Sequence, residues 1–411
     1  MGFDAREWTP TLVQRSTIAA AETRSFKRAA IVMQQVGGQA VSAKTLQRLV
    51  HDVGAELAER RDLSVRADDV LASTPAAAPD LAVVECDGGR IRTREAEQGP
   101  GVHLSGPGWR ETKNACLVRA QRKTFAEDPQ PDPPACFCDG KHVAKIAETE
   151  ALSLAAPRPA DESRDDADDR DDPPIKIDWG PKRLVRTVLS SMARSKTFGR
   201  QMQREAKRRR FFEANAKAFL GDGLPWNWSI WKQQFPDFEP ILDFIHPLSY
   251  LFLTAKAVHS HADDAWSQYL VWMRGCWQGE VADVLEELTT WQARLGEPPP
   301  ECPDNDPRQI VATTRTYLTN NKNRMKYPEY RRAGLPVTTA WMESLVKEVN
   351  CRVKGTEMFW NDPEGAEAIL QVRAAALCDD DRLINHLQTR PGCPFTRRPK
   401  PTSLQPENNK S

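Results

Sequence analysis

The sequence predicts an α/β fold, with a helical segment in front of it and a helical insertion within it. Three observations predict this. Apolar residues recur at helical spacing over residues 12–62. Beyond residue 80 the pattern shortens to strand-length apolar runs and period-two alternation. From 247 to about 321 it is helical throughout, ahead of a last amphipathic helix at 338–354.

At 411 residues and 46.2 kDa the chain is long enough for two or three domains. Hydrophobic residues at 40%, charged residues at 28% and a mean hydropathy of −0.60 point to a soluble globular protein with some disordered stretches. No run approaches the length of a spanning helix, and the start MGFDAREWTP lacks an apolar signal core. The sequence therefore predicts neither a membrane nor a secreted protein. Nine cysteines, an odd number without a dense framework, fit reduced thiols in a cytoplasmic protein.

Taken in order, FKRAAIVMQQV reads as a helix that stops at Gly37-Gly38. Ser42 is the expected N-cap of the next helix, in which Leu46, Leu49, Val50 and Val53 repeat at helical spacing. Helix, glycine turn and Ser-opened helix outline a helix-turn-helix that offers Lys44, Thr45, Gln47 and Arg48 to a DNA major groove. A small packed helical cap is the plainer reading of the same pattern. Residues 63–80, rich in Ala and Pro, read as a linker.

LAVVECD at 81–87 has the length of a buried strand. Gly88-Gly89 is expected to turn it into a hairpin with RIRTRE, and KNACLVR at 113–119 supplies a third strand. From 120 to 180 the chain is irregular and Pro-rich, and Cys136 and Cys138, a CxC without a second pair, are weak ground for zinc. Helices are expected at 181–195 and 197–214, then the apolar run AKAFLGDG, the helix-like LPWNWSIWKQQF and the run EPILDFIH. In the helical stretch that follows, Trp266, Trp272, Trp277 and Trp291 are core candidates. In the helix at 338–354, Met342, Leu345, Val346 and Val349 make the buried stripe, with Glu343 beside it near the start. The basic, Pro-rich tail from about 391 reads as disordered.

Lys+Arg and Asp+Glu balance at 57 each, which at first sight argues against a nucleic-acid partner. The balance hides an asymmetry. Residues 157–175 carry eight acids against three arginines and read as a solvated loop. Residues 182–210 hold eleven Lys or Arg and one acid, Glu205. Within them Arg200, Arg204 and Arg208 form one helical stripe, and Phe198, Met202 and Ala206 another. That describes a helix packed on one side and positive on the other, whether as a DNA-facing surface or as a solvated charged face.

Asp87 and Asp222 end apolar runs, and Glu343 borders a buried stripe. Carboxylates in such places are costly to desolvate unless a cation or hydrogen bonds compensate. Magnesium takes hard oxygen ligands, and acids from separate segments can hold two such ions about 3.5–4 Å apart, the clamp used for in-line displacement at phosphorus. Taken singly, each acid reads as structural, a turn Asp or a solvent-facing helical Glu. Their order and surroundings carry the functional reading.

The segments VVECDGGRIRTR, GWRETKNA, FLGDGLPWNW, ILDFIHPLSYL, YRRAGLPVTTAWMESLVKEVNCRVKG and MFW resemble those of bacterial insertion-sequence transposases of the DDE type, closest to the Kra-type elements. The resemblance spans roughly residues 20–120 and 180–380. It implies an RNase H-like core, a mixed five-stranded sheet flanked by helices. The catalytic, metal-binding acids would be Asp87 in the D-G-G pattern, Asp222 in G-D-G, and Glu343 in the helix that returns to the sheet. Asp243 and His246 match a D-x-x-H signature with a supporting role, and Asp243 competes with Asp222 for the place of second acid. Thr338-Thr339-Ala340 stands where many members have Gly-Ser-Gly, and Thr356-Glu357 where they have a small pair.

The resemblance implies this division: a helix-turn-helix-like domain at 1–62, a linker at 63–80, the first part of the core at 81–246 with a disordered acidic loop at about 125–178, a helical insertion at 247–330, the Glu343 helix and a C-terminal helix at 331–390, and a tail at 391–411. The implied reaction is polynucleotidyl transfer with two Mg2+ (or Mn2+) ions. Water cuts a phosphodiester at the transposon end, and the freed 3′-hydroxyl attacks target DNA. Asp87 would bridge the ions, with Asp222 and Glu343 each completing one. Partners would be double-stranded DNA, as transposon ends and target, and further copies of the chain in a dimer or larger synaptic assembly at the bacterial nucleoid. The rival readings are an inactive transposase-derived DNA-binding protein and a plain RNase H-like nuclease.

Overall fold

The computed structural model describes residues 8–66, 77–94, 108–154, 178–354, 360 and 362–390. Strands β1 (Leu81–Arg92), β2 (Trp109–Gln121), β3 (Lys182–Ser191), β4 (Ala216–Gly221) and β5 (Glu239–Leu242) form one mixed sheet in the order β3-β2-β1-β4-β5. The first three are antiparallel neighbours, while β4 and β5 run parallel to β1. β1 sits at the centre because nearly every residue of its apolar run is buried, on both faces.

Alternation along the strands builds two cores. Ala82, Val84 and Cys86 face one way with Leu117 and Phe219, against α5 (Ser195–Arg208) and α6 (Pro225–Gln234) through Phe198, Met202 and Ile230. Leu81 and Val83 face the other way with Val118 and Leu220, into a larger core. That core takes in the N-terminal helices α1 (Pro10–Glu22), α2 (Phe26–Gln35) and α3 (Ala43–Arg66), and α4 (Gly140–Leu154). It also takes in α7 (Ile245–Val258), α8 (Ala262–Trp277), α9 (Val281–Leu295), α10 (Pro307–Asn321), α11 (Tyr327–Arg332), α12 (Ala340–Val353), α13 (Pro363–Ala376) and α14 (Arg382–Thr389). Among the described residues no helix is long and apolar enough to cross a membrane.

The helical expectations at both ends hold. Gly38 has φ +63 after α2, and the Thr45 amide donates to Ser42 Oγ at 3.1 Å at the start of α3. Trp272 and Trp277 are fully buried, whereas Trp266 and Trp291 are half-buried.

Several expectations need correction. Gly88-Gly89 is no turn: β1 runs through it in unbroken register with β2, from Leu81 opposite Ala120 to Arg92 opposite Trp109. The glycine serves close approach instead, since a Cβ on Gly89 would lie 2.6 Å from Thr112 Oγ1. Arg90–Arg92 are thus the far end of β1, and Thr93 makes a single bridge to Trp360. The third antiparallel strand is β3, where a helix was expected at 181–195, and the helix after it spans 195–208 rather than 197–214. Much of the stretch expected as a disordered loop at about 125–178 is ordered. Phe137 is buried in a short 3-10 turn, α4 follows it, and fully buried Arg331 pairs with Asp128. The linker expected at 63–80 begins inside α3, and Pro79 and Asp80 already accept backbone bonds from Asn215 and Ala216. The acidic run at 157–175 and the tail at 391–411 lie outside the described residues.

Candidate active site

Sheet register sets the geometry of the site. β1 pairs with β4 from Leu81 opposite Ala216 to Glu85 opposite Leu220, and β4 pairs with β5 from Ala218 opposite Glu239 to Gly221 opposite Leu242. Continued past the last paired residues, the same offsets set Asp87 level with Asp222 and Asp222 level with Asp243. The Asp243 amide donates to the Gly221 carbonyl at 3.0 Å, which carries the β4–β5 alignment to Asp243 itself. Neighbouring strands lie about 4.8 Å apart, so the backbones of Asp87, Asp222 and Asp243 fall level across three parallel strands. β1 continues beyond its pairing with β4, so the half-buried Asp87 stands where the sheet opens.

Each acid is held differently. Asp87 lies opposite Asn114 on β2, and Asn114 in turn accepts from Ser190 Oγ at 2.7 Å on β3. Asp222 Oδ1 accepts from the Leu224 amide at 2.8 Å and from Asn227 Nδ2 at 2.5 Å, so the carboxylate is drawn toward the start of α6. Tyr317 of α10 donates to the Asp222 carbonyl at 2.9 Å and stacks on Tyr250 of α7, with ring centroids 4.1 Å apart. Burial pushes the Asp222 carboxyl above its ordinary range; His246 and the Leu224 amide oppose this, and Asp243 adds to it. Asp243 is fully buried: its Oδ1 accepts from the Ile245 and Thr339 amides, both at 3.2 Å, and its Oδ2 from Thr339 Oγ1 at 2.7 Å. His246 Nδ1 lies 3.0 Å from the same Oδ2. Glu343 is exposed in the first turn of α12, which packs over the sheet through Met342, Leu345 and Val349.

Glu85 was not anticipated. It shares the Asp87 face of β1, is wholly buried, and neither carboxylate oxygen has a hydrogen-bond partner. Burial pushes its carboxyl well above the ordinary range, and the charges of Asp243 and Glu343 add to that, while the Met342 amide opposes it without forming a full hydrogen bond. A signal was present in the sequence. An acid two residues before Asp87 inside an apolar run must share its face.

Hard oxygen donors of this kind suit magnesium or manganese. As the side chains stand, no three His, Cys, Asp or Glu among the described residues are grouped to hold a metal ion. The pull of Asn227 and Leu224 on Asp222 is one physical reason. Cys136 and Cys138 flank buried Phe137 in the 3-10 turn and belong to no such group.

Of the residues expected to meet DNA, Lys44 and Arg48 are exposed at the start of α3. Thr45 and Gln47 are half-buried, and Gln47 Oε1 accepts from Lys44 Nζ at 3.2 Å. Arg200 is exposed and Arg204 half-buried, while Arg208 is turned to the buried Glu205 at 3.4 Å. Phe198, Met202 and Ala206 are buried as expected. No protein-family model matches the chain, and no curated protein is significantly similar to it.

Proposed function

We propose that this chain is a divalent-metal-dependent polynucleotidyl transferase, a transposase of the DDE type on an RNase H-like core. One observation carries the reading: the register of β1 with β4, continued two residues past its last pair, brings Asp87 level with Asp222 on neighbouring parallel strands, and α12, which holds Glu343 in its first turn, packs on the same sheet. The mixed five-stranded sheet flanked by helices is compatible with the core that the resemblance implies. The likeness of the segments around all three acids to insertion-sequence transposases points the same way.

Asp87, Asp222 and Glu343 would hold two magnesium or manganese ions, which when bound supply Lewis acidity to the attacking and leaving oxygens. The chain's own part is to orient the acids. Asn227 and Tyr317 fix Asp222, and Asn114, opposite Asp87 on β2, is itself held by Ser190. Double-stranded DNA would be held by phosphate contacts, with Lys44 and Arg48 at the start of α3 as the exposed basic pair for end recognition. Joining two ends calls for a dimer or larger assembly.

One observation favours a second reading, a DNA-binding descendant without catalysis: the three carboxylates are not grouped as they stand. Incubation with supercoiled plasmid and a short duplex bearing a free 3′-hydroxyl, in manganese, separates the two. The transferase reading expects nicking and joining by the wild type. Asp87→Ala, Asp222→Ala and Glu343→Ala should each lose both steps and keep salt-sensitive DNA binding. Nicking without joining would mark a nuclease, and binding alone would sink the enzyme reading.

A further inference from the structure

We propose that Asp243 is a positioning residue that pins, through Thr339, the point at which Glu343 enters the site; the inference rests on the transferase reading above. Both Asp243 oxygens are committed to the protein, to Ile245 and His246 on α7 and to Thr339 ahead of α12. Thr339 is the residue before α12, and its carbonyl accepts from the amides of Met342 at 2.8 Å and Glu343 at 2.9 Å. An unbroken chain of hydrogen bonds therefore runs from the end of β5, through one threonine, to the backbone of Glu343. The Phe244 amide adds a second tie, donating to the Val337 carbonyl at 3.0 Å.

The neighbouring acids contrast with this arrangement. Asp222 is half-buried and Glu343 exposed, whereas Asp243 has no exposed surface and its oxygens already accept four contacts. A ligand must present oxygen to an incoming ion, and Asp243 could do so only by giving up one of these contacts. Both Thr338 and Thr339 are buried, so a threonine hydroxyl here anchors the loop from within.

Thr339→Val removes the hydroxyl at nearly constant shape, and Thr339→Ser retains it. In the full-length protein, with supercoiled plasmid and manganese, Thr339→Val should lower kcat for nicking by about 100-fold, the cost of misplacing a catalytic group by roughly 1 Å. Plasmid affinity should be unchanged, and Thr339→Ser should restore the rate. Asp243→Asn should fall comparably, and the double variant Asp243→Asn/Thr339→Val should be no worse than the weaker single, since both break one linkage. Amide exchange at Met342 and Glu343 should quicken about fivefold or more in Thr339→Val without any DNA or metal.

A Thr339→Val protein with wild-type rate, or multiplicative losses in the double variant, would overturn the proposal. So would an inactive Asp243→Asn beside a fully active Thr339→Val, which would mark Asp243 as a ligand. Should Asp243→Asn not fold, the two Thr339 variants decide alone. If the wild type proves inert toward DNA, the transferase reading fails, while amide exchange still decides whether Thr339 pins the helix.

Discussion

Asp222 shows how much local structure one carboxylate can require. Its backbone carbonyl takes the Tyr317 hydroxyl, its side chain takes Asn227, and the next residue, Gly223, holds φ +100. A Cβ at Gly223 would lie 2.7 Å from the Tyr317 ring, so this glycine answers both a left-handed conformation and a close approach. Gly223→Ala should therefore destabilise the protein by about 1–3 kcal/mol and slow plasmid nicking; chemical denaturation with an unchanged midpoint would count against this account of the loop. The Gly-Asp-Gly string made the special backbone legible in the sequence. The partners Asn227 and Tyr317 were not legible, because nothing local ties positions so far apart along the chain. Glu85 failed to register for a different reason. Composition counts it as one more acid, and only the alternation of a strand places it beneath Asp87.

At the scale of elements, the basic stretch after residue 181 misled because charge obscured period. Lys182 and Arg183 already pair with β2 yet are exposed, as is Leu184, and only from Arg186 onward is β3 buried. α5 was legible through Phe198, Met202 and Ala206, but the purpose of its arginines was not. Glu205, buried on that helix, gathers Arg208, Arg209 and the more distant Arg382 of α14. Burial alone would raise its carboxyl, yet Arg382, Arg209 and Arg208 outweigh it and hold the group far below its ordinary value of 4.5. A depressed acid stabilises the fold above its unfolded pKa and loses that contribution as pH falls toward its folded pKa. Glu205→Gln should thus cost about 3–5 kcal/mol at pH 7, because three guanidinium groups lose their buried counter-charge. The gap between the two proteins should narrow as pH drops below about 4.5; urea unfolding at a series of pH values tests this, and a gap independent of pH would contradict it.

For the whole molecule, the segment read as a separate recognition domain is built into the common core. α3 packs along α13 so closely that a Cβ on Gly54 would lie 2.2 Å from the Ala368 carbonyl oxygen. Arg352 near the end of α12 donates to the Ala20 carbonyl at 2.7 Å, and Arg373 of α13 donates to Ala21 at 3.1 Å. The helix containing Glu343 is therefore bonded at its far end to α1. Calorimetry of the full chain should show one cooperative transition covering these helices and the sheet, and two resolved transitions would show that they fold apart. The amphipathic pattern of α2 and α3 was plain in the sequence. It could not reveal which surface their apolar sides would cover, since any apolar partner satisfies it. The offset between β1 and β4 has its own consequence for how this chain can change in length. A single residue added within Ala216–Gly221 would swing the Asp222 side chain through the sheet to the side of Phe219. Adding two would restore the side but carry the group roughly 6–7 Å past its counterpart. Insertions of odd and even size are thus both forbidden in that strand, and growth of the chain must fall in the connections between strands.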